Sequence, residues 1–277
     1  MHWSLVRIRF EQLFERPETE IPLDLAALIV AQEEYPDLDC GSYLRRFDAL
    51  ADLVRSQRPP QAGVSESVDA INHVLFDLEG FHGNQTEYYD PRNSFLNAVF
   101  DRKLGIPITL SIVYLALCKR LGIDAWGIGL PGHFIVAIGE SDRLIVDPFD
   151  RGARLTIADC ASRVRQIYGD KVTLQADMLA PLTKRMIITR LLTNLKAIYV
   201  NQADPVRALA ATERLLVLNP FSQRELRDRG VLGRQVKFYA QSESDLQRYL
   251  EIAAAGSDLE EIRRIKRDLE REWGIMN

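Results

Sequence analysis

The 277-residue sequence is 47% hydrophobic and 27% charged, with 39 acidic against 35 basic residues and a formal net charge of −4. That balance describes a globular chain long enough for two domains and argues against nucleic acid or an anionic membrane as a main partner. No apolar run approaches the roughly 18 residues of a spanning helix, and charges interrupt Met1–Phe10 too early for a signal peptide, so a cytoplasmic location is expected.

The first ninety residues read as helices. Ile21 to Glu34 is apolar at helical spacing and stops near Pro36, and Asp39 to Gln57 comes next and ends at Pro59-Pro60. Val64, Val68, Ile71, Leu75 and Leu78 then recur at alternating steps of four and three, which predicts one apolar stripe on an amphipathic helix. Gly80 to Asn93 is rich in Gly, Asn, Asp, Tyr and Pro and reads as a loop of the kind that caps a site, entering a helix at Asn93 or Ser94. A further helix is expected from Pro107 to Leu121, with Pro in its first turn and Gly122 past its end; being apolar almost all round, it reads as the central buried helix.

Strands come next. Trp126, Ile128 and Leu130 alternate with small residues, and His133 to Ile138 and Leu144 to Asp147 are apolar runs separated by the turn Gly139–Asp142. A hairpin centred on Glu140 with an odd-length loop sets His133 directly opposite Asp147, about 4.5 to 5.5 Å between Cβ atoms, close enough for Asp147 to hold the imidazole in one tautomer. An even-length loop puts the two on opposite faces.

From Thr183 onward the strand pattern disappears. Short helices are punctuated by the capping boxes Ser222-Gln-Arg-Glu225 and Ser257-Asp-Leu-Glu260, and a charged last helix runs from Leu259 to Trp273. Residues recur at an offset of 34: Ala197-Ile198 aligns with Val231-Leu232, Ala208 with Ser242, Arg214 with Arg248, and Leu215-Leu216 with Tyr249-Leu250. That is the period of a tetratricopeptide helix pair, so a protein or peptide partner is expected on these repeats.

The three cysteines, Cys40, Cys118 and Cys160, are too few and too scattered for a disulfide framework or a metal site. Four histidines without a Cys-x-x-Cys or His-Glu-x-x-His pattern, and no phosphate loop, leave neither a metal nor a cofactor expected. Gly127, Gly129 and Gly132 do not form a dinucleotide fingerprint and are assigned to strands. The Asn84-Gln-Thr86 sequon reads as coincidence.

Taken in order, Asn93-Ser-Phe-Leu96, Gly105-Ile-Pro-Ile-Thr-Leu110, Pro131-Gly-His-Phe134, Asp147-Pro-Phe149, Asn194-Leu-Lys196 and Arg227-Asp-Arg-Gly230 resemble the SirB-type family of transglutaminase-like proteins with a C-terminal tetratricopeptide region. The resemblance implies an α+β fold: a papain-like core with a central helix on a small antiparallel sheet, helices before it, and an all-helical repeat region after it. The corresponding domains are 1–182, including a helical part over about 1–90, and 183–277. The wider superfamily performs acyl transfer or amide hydrolysis through a Cys thiolate held by His and Asp. Carried over by position, His133 and Asp147 match that chemistry, while the Cys position falls on Pro107.

Two functions are compatible with these residues. In one, the chain is a non-catalytic binding, scaffold or regulatory protein, because a thiol mechanism cannot run without a thiol. In the other, it is an acyl-transfer or amide-hydrolysing enzyme that uses Ser111 or Thr109 with His133 and Asp147. Hydroxyls near a helix start usually bond the backbone, and Cys118, three turns into the same helix, reads as an inert small hydrophobe. His73 is expected at the surface. His82 reads as a solvated loop histidine, with approach to the site as the alternative.

Overall fold

The computed structural model describes residues 2–139, 143–253 and 258–276. Helices α1 (His2–Phe14), α2 (Leu23–Ala31), α3 (Cys40–Gln57) and α4 (Val64–Asn72) precede a two-residue strand β1 (His82–Gly83). Helix α5 (Leu96–Arg102), β2 (Leu104–Gly105) and α6 (Pro107–Arg120) come next, then strands β3 (Ala125–Ile128), β4 (Ile135–Ile138), β5 (Leu144–Asp147) and β6 (Ala153–Leu155) and helix α7 (Ile157–Tyr168). The remainder is α8 (Lys184–Asn201), α9 (Pro205–Leu218), α10 (Gln223–Gln235), α11 (Tyr239–Ile252) and α12 (Leu259–Met276). The fold is α+β: helices with a four-stranded and a two-stranded sheet up to α7, and helices alone from α8 onward. Two compact units, Met1–Leu191 and Leu192–Asn277, divide inside α8. No helix among the described residues is long and apolar enough to cross a membrane.

In the first unit α6 is the centre. Every residue from Pro107 to Cys118 is buried, as an all-round apolar helix requires, and the helix lies against α2, α3, β3 and β4. Each such Leu or Ile side chain withdrawn from water contributes about 1.5–3 kcal/mol before entropy is counted. The strands form an antiparallel sheet in the order β3-β4-β5-β6. One sheet face packs Ile128, Ile135 and Ala137 against Cys160 and Val164 of α7. Burial on both faces explains why β4 is an unbroken apolar run instead of an alternating one.

Five expectations need correction, each for a reason that sequence periodicity does not carry. The apolar stripe begun in α4 does not reach Leu78, which is 52% exposed. After Asn72 the chain widens into a π-helical turn, His73–Leu78, closed by Glu79 N–H donating to Val74 O at 2.9 Å. One extra residue in the turn rotates the later side chains by about 100°, so Leu75 stays buried with Val74 and Phe76 while Leu78 turns outward.

The next helix starts at Leu96, with Phe95 as its N-cap, and Asn93 and Ser94 belong to the preceding 3₁₀ turn Pro91–Ser94. Asn93 Nδ2 donates to Glu87 O at 2.7 Å and Asn93 Oδ1 accepts from Asn84 Nδ2 at 3.1 Å, so these amides tie the loop together in place of capping a helix. Asn84 is itself buried.

Two pairings were not drawn from the sequence: β1 runs parallel to β2, some twenty residues away, with Gly83 opposite Gly105, and β6 turns back beside β5 to extend the sheet. Of the three glycines assigned to strands, only Gly127 lies in one.

The β4–β5 register pairs Val136 with Val146 and Ile138 with Leu144, two residues away from that of a turn centred on Glu140. Glu140 to Asp142 lie outside the described residues. A displacement of two preserves the face, so His133 and Asp147 remain on one side but diagonal instead of directly opposed.

In the second unit the offset of 34 separates two helix pairs, α8–α9 and α10–α11. Ala208 and Ser242, one repeat apart, are both fully buried, so small residues recur at the same buried position of the two repeats. The turns repeat as well: Ala203 (φ 55) and Lys237 (φ 65) are left-handed residues 34 positions apart, each just past the end of a helix. Ser222 Oγ caps Glu225 N–H at 3.3 Å, but the Glu225 carboxylate turns to the buried Lys196 ammonium instead of completing the capping box. The other expected box begins at Ser257, outside the described residues.

Candidate functional site around His133

Gly132 takes φ +68, a left-handed conformation suited to glycine, and His133 N–H donates to Leu130 O at 3.1 Å to close the turn. This turn delivers His133 two residues ahead of β4. Asp147 ends β5 fully buried. The two side chains meet, with His133 Nε2 2.7 Å from Asp147 Oδ2.

The carboxylate is held from two further sides: its Oδ1 accepts from Phe149 N–H at 3.0 Å, and Arg163 Nη2 of α7 lies 3.2 Å from Oδ2 while also reaching Asp150 at 2.8 Å. An Nε2–H donated to Asp147 leaves Nδ1 as the acceptor nitrogen. None of the described residues bonds Nδ1. The ring rests edge-on against Phe149, with 6.0 Å between centroids, and Phe149 meets Tyr88 at 6.2 Å. Gly83 leaves room for Phe149, since a Cβ there would sit 2.5 Å from its ring.

The expected hydroxyls are elsewhere engaged or isolated. Pro107 is the first residue of α6, and the N–H groups of Ile108 and Thr109 precede the helix's first bond, Leu110 N–H to Ile106 O. Thr109 Oγ1 donates to Asn93 O at 2.8 Å and accepts from Ile106 N–H at 3.1 Å. Ser111 Oγ is buried with no hydrogen-bond partner among the described residues. Neither hydroxyl is bonded to His133. Cys118 is fully buried, and burial pushes its thiol up to about 12. His73 is exposed beside Asp77, and His82 is exposed with Nδ1 on Gly80 O at 2.9 Å.

The model of the transglutaminase-like superfamily matches residues 41–193, and that of the tetratricopeptide repeat matches residues 195–266. The chain belongs to the transglutaminase-like superfamily. It is 36% identical to a UPF0162 protein of Xylella fastidiosa over 256 residues, which cover 91% of each chain. A UPF0162 protein of Pseudomonas aeruginosa is 29% identical over 81% of this chain and 82% of its own length. F-box only protein 21 of Homo sapiens is 31% identical over 47% of this chain and 21% of its own.

Transglutaminase-like and tetratricopeptide regions together fit a protein-interaction module. In the repeat region, the family-like strings Asn194–Lys196 and Arg227–Gly230 meet in an ion network. Lys196 Nζ binds Asp228 at 2.7 Å as well as Glu225, Arg227 binds Asp258 at 2.7 Å, and Arg229 grips Asp245 through two bonds of 2.6 and 2.7 Å.

Sequence reasoning did not find Arg163, Phe149, Tyr88 or Arg190 as neighbours of His133. A signal for the last was present in the Gly127-Ile-Gly-Leu-Pro-Gly132 run. A Cβ on Gly127 would lie 2.6 Å from Phe134, one on Gly129 2.7 Å from Arg190 Nη1, and one on Gly132 2.9 Å from Ile167. These glycines mark close approaches of other elements to the backbone leading to His133.

Proposed function

We propose that this chain is a non-catalytic cytoplasmic binding protein, in which a transglutaminase-like core recognises a peptide at His133 and the tetratricopeptide-like region holds a protein partner. The carrying observation is the state of the pair: His133 is oriented by Asp147, its Nδ1 is unbonded by protein, and no thiol or hydroxyl among the described residues is bonded to it. A nucleophile needs a base within hydrogen-bond reach, and Pro107 stands at the position that the superfamily's thiol would take. An imidazole nitrogen that no described residue bonds offers a point of attachment for a peptide group, the kind of contact that peptide recognition uses.

The second reading is acyl transfer or amide hydrolysis by Ser111 or Thr109 with His133 and Asp147. It draws on Ser111 Oγ, a buried hydroxyl with no described partner. A fluorophosphonate probe on the full chain, with Ser111→Ala and Thr109→Ala as controls, separates the two. No labelling is expected. Labelling abolished by either substitution establishes the enzyme instead.

A further inference from the structure

Arg190 braces the turn that presents the imidazole. Its Nη2 donates to Leu130 O and to His133 O, both at 2.7 Å, so the guanidinium holds the two ends of that turn. It also lies over the Phe134 ring at 5.6 Å. Gly129 leaves the space that its Nη1 occupies.

Among the described residues no carboxylate pairs with it. The ionisable groups that act on it are the phenols of Tyr88 and Tyr168, and neither is a carboxylate. Arg163, the partly buried arginine on the Asp147 side of His133, is by contrast neutralised by Asp147 and Asp150. A guanidinium that stays charged and carries no counter-ion is a receptor for an oxyanion, and with both Nη2 hydrogens given to Leu130 O and His133 O it keeps Nε–H and Nη1 as donors, each able to give a single charge-assisted bond. Burial without a carboxylate pushes its pKa down, a penalty that an incoming anion relieves.

The surroundings restrict what carries the anion. Tyr88 joins Arg190 to the His133–Phe149 ring contact, Tyr89 beside it is 72% exposed, and Ile167 and Tyr168 of α7 are 49% and 40% exposed next to Gly132. A bare inorganic anion leaves those apolar surfaces in water, whereas a chain with apolar side chains on either side of the anion covers them.

We infer that the His133 site takes an extended peptide carrying a carboxylate, which is received by Arg190 and flanked by Tyr88 and Tyr168. The inference rests on the proposed peptide recognition at His133 and names the chemistry of its ligand. The carboxylate comes from a chain terminus or from an Asp or Glu side chain.

Three pools of N-acetylated octapeptides, randomised over neutral residues, test it on the immobilised full-length protein. The first pool is amidated and uncharged, the second has a free C-terminus, and the third is amidated with one central Glu. At low salt, at least one carboxylate pool should be retained about tenfold or more over the neutral pool. That preference should collapse at about 0.5 M salt. It should vanish in Arg190→Gln and partly return in Arg190→Lys. Whichever carboxylate pool is retained identifies the source.

Equal retention of all three pools, abolished by His133→Ala, leaves the peptide site standing and overturns the role of Arg190. Retention of none overturns both. Arg190→Gln also removes the bonds to Leu130 and His133; if that variant does not fold, the salt dependence and pool preference of the unmodified protein decide the matter alone.

Discussion

Lys196→Met should unfold the repeat region at markedly lower denaturant. The Lys196 ammonium is buried and serves two carboxylates of α10, Glu225 and Asp228, one helical turn apart. Methionine keeps most of the aliphatic stem, so the change removes the charge and leaves little cavity. Asp228 retains Arg227, whose Nη2 lies 2.8 Å from Oδ1, but Glu225 is left buried with no cation among the described residues. An uncompensated buried charge costs about 3–5 kcal/mol, and the lower end applies because one of the two acids stays paired. With a urea slope of roughly 1–3 kcal/mol per molar, the midpoint should fall by about 1–3 M, read by far-UV circular dichroism of the full chain.

The pH dependence has a defined sign. Burial opposes ionisation of Asp228, but Lys196 and Arg227 outweigh it and hold the carboxyl below its ordinary range. That stabilisation is present above the ordinary carboxylate range and is lost as pH falls through the depressed value, so the deficit of the variant should shrink in acid. Adding Glu225→Gln to Lys196→Met should restore about half of the loss or more, since it neutralises the orphaned acid. A midpoint shift under about 0.3 M, or no rescue by Glu225→Gln, refutes the reasoning.

Two further outcomes are expected. Ala203→Gly and Lys237→Gly each relieve a left-handed residue that costs about 1–2 kcal/mol, offset in part by the entropy of glycine, and should each raise stability by about 0.5–1 kcal/mol in urea titrations; a loss in either would show that the turn is held by its side chain. Cys118, with its thiol pushed up to about 12, should resist a disulfide reagent until the chain unfolds. Because the folded thiol keeps its proton where the unfolded one has lost it, stability should fall as pH rises above the ordinary thiol value, by up to about 1.4 kcal/mol per pH unit from this group. Cys118→Ala should flatten that alkaline limb, and an unchanged slope between about pH 8 and pH 10 would exclude the effect.

The helices of this chain were legible because an amphipathic or all-apolar period is a local property, and α3, α6 and the repeat pairs carry their own start and stop signals in Asp39, Pro107 and Ser222. The partnership of His133 and Asp147 could be drawn from the hairpin, since displacing the register by two residues leaves the face of a strand unchanged.

The features beyond reach depended on segments far apart in the chain. The parallel pairing of Gly83 with Gly105, the arrival of Arg163 and Arg190 at the turn holding His133, and the counter-ions of Lys196 involve separations of roughly twenty to sixty residues, over which no periodicity records which side chains will meet. The π-turn at His73–Leu78 belongs with them: a single inserted residue leaves composition and hydropathy almost unchanged, yet rotates every later side chain, and only packing selects the rotated set. The sequence thus determined which stretches coil, extend or turn. Tertiary structure decided which charges are paired and which are left open, because a charge acquires its partner only when distant segments are brought within a few ångströms and water is excluded between them.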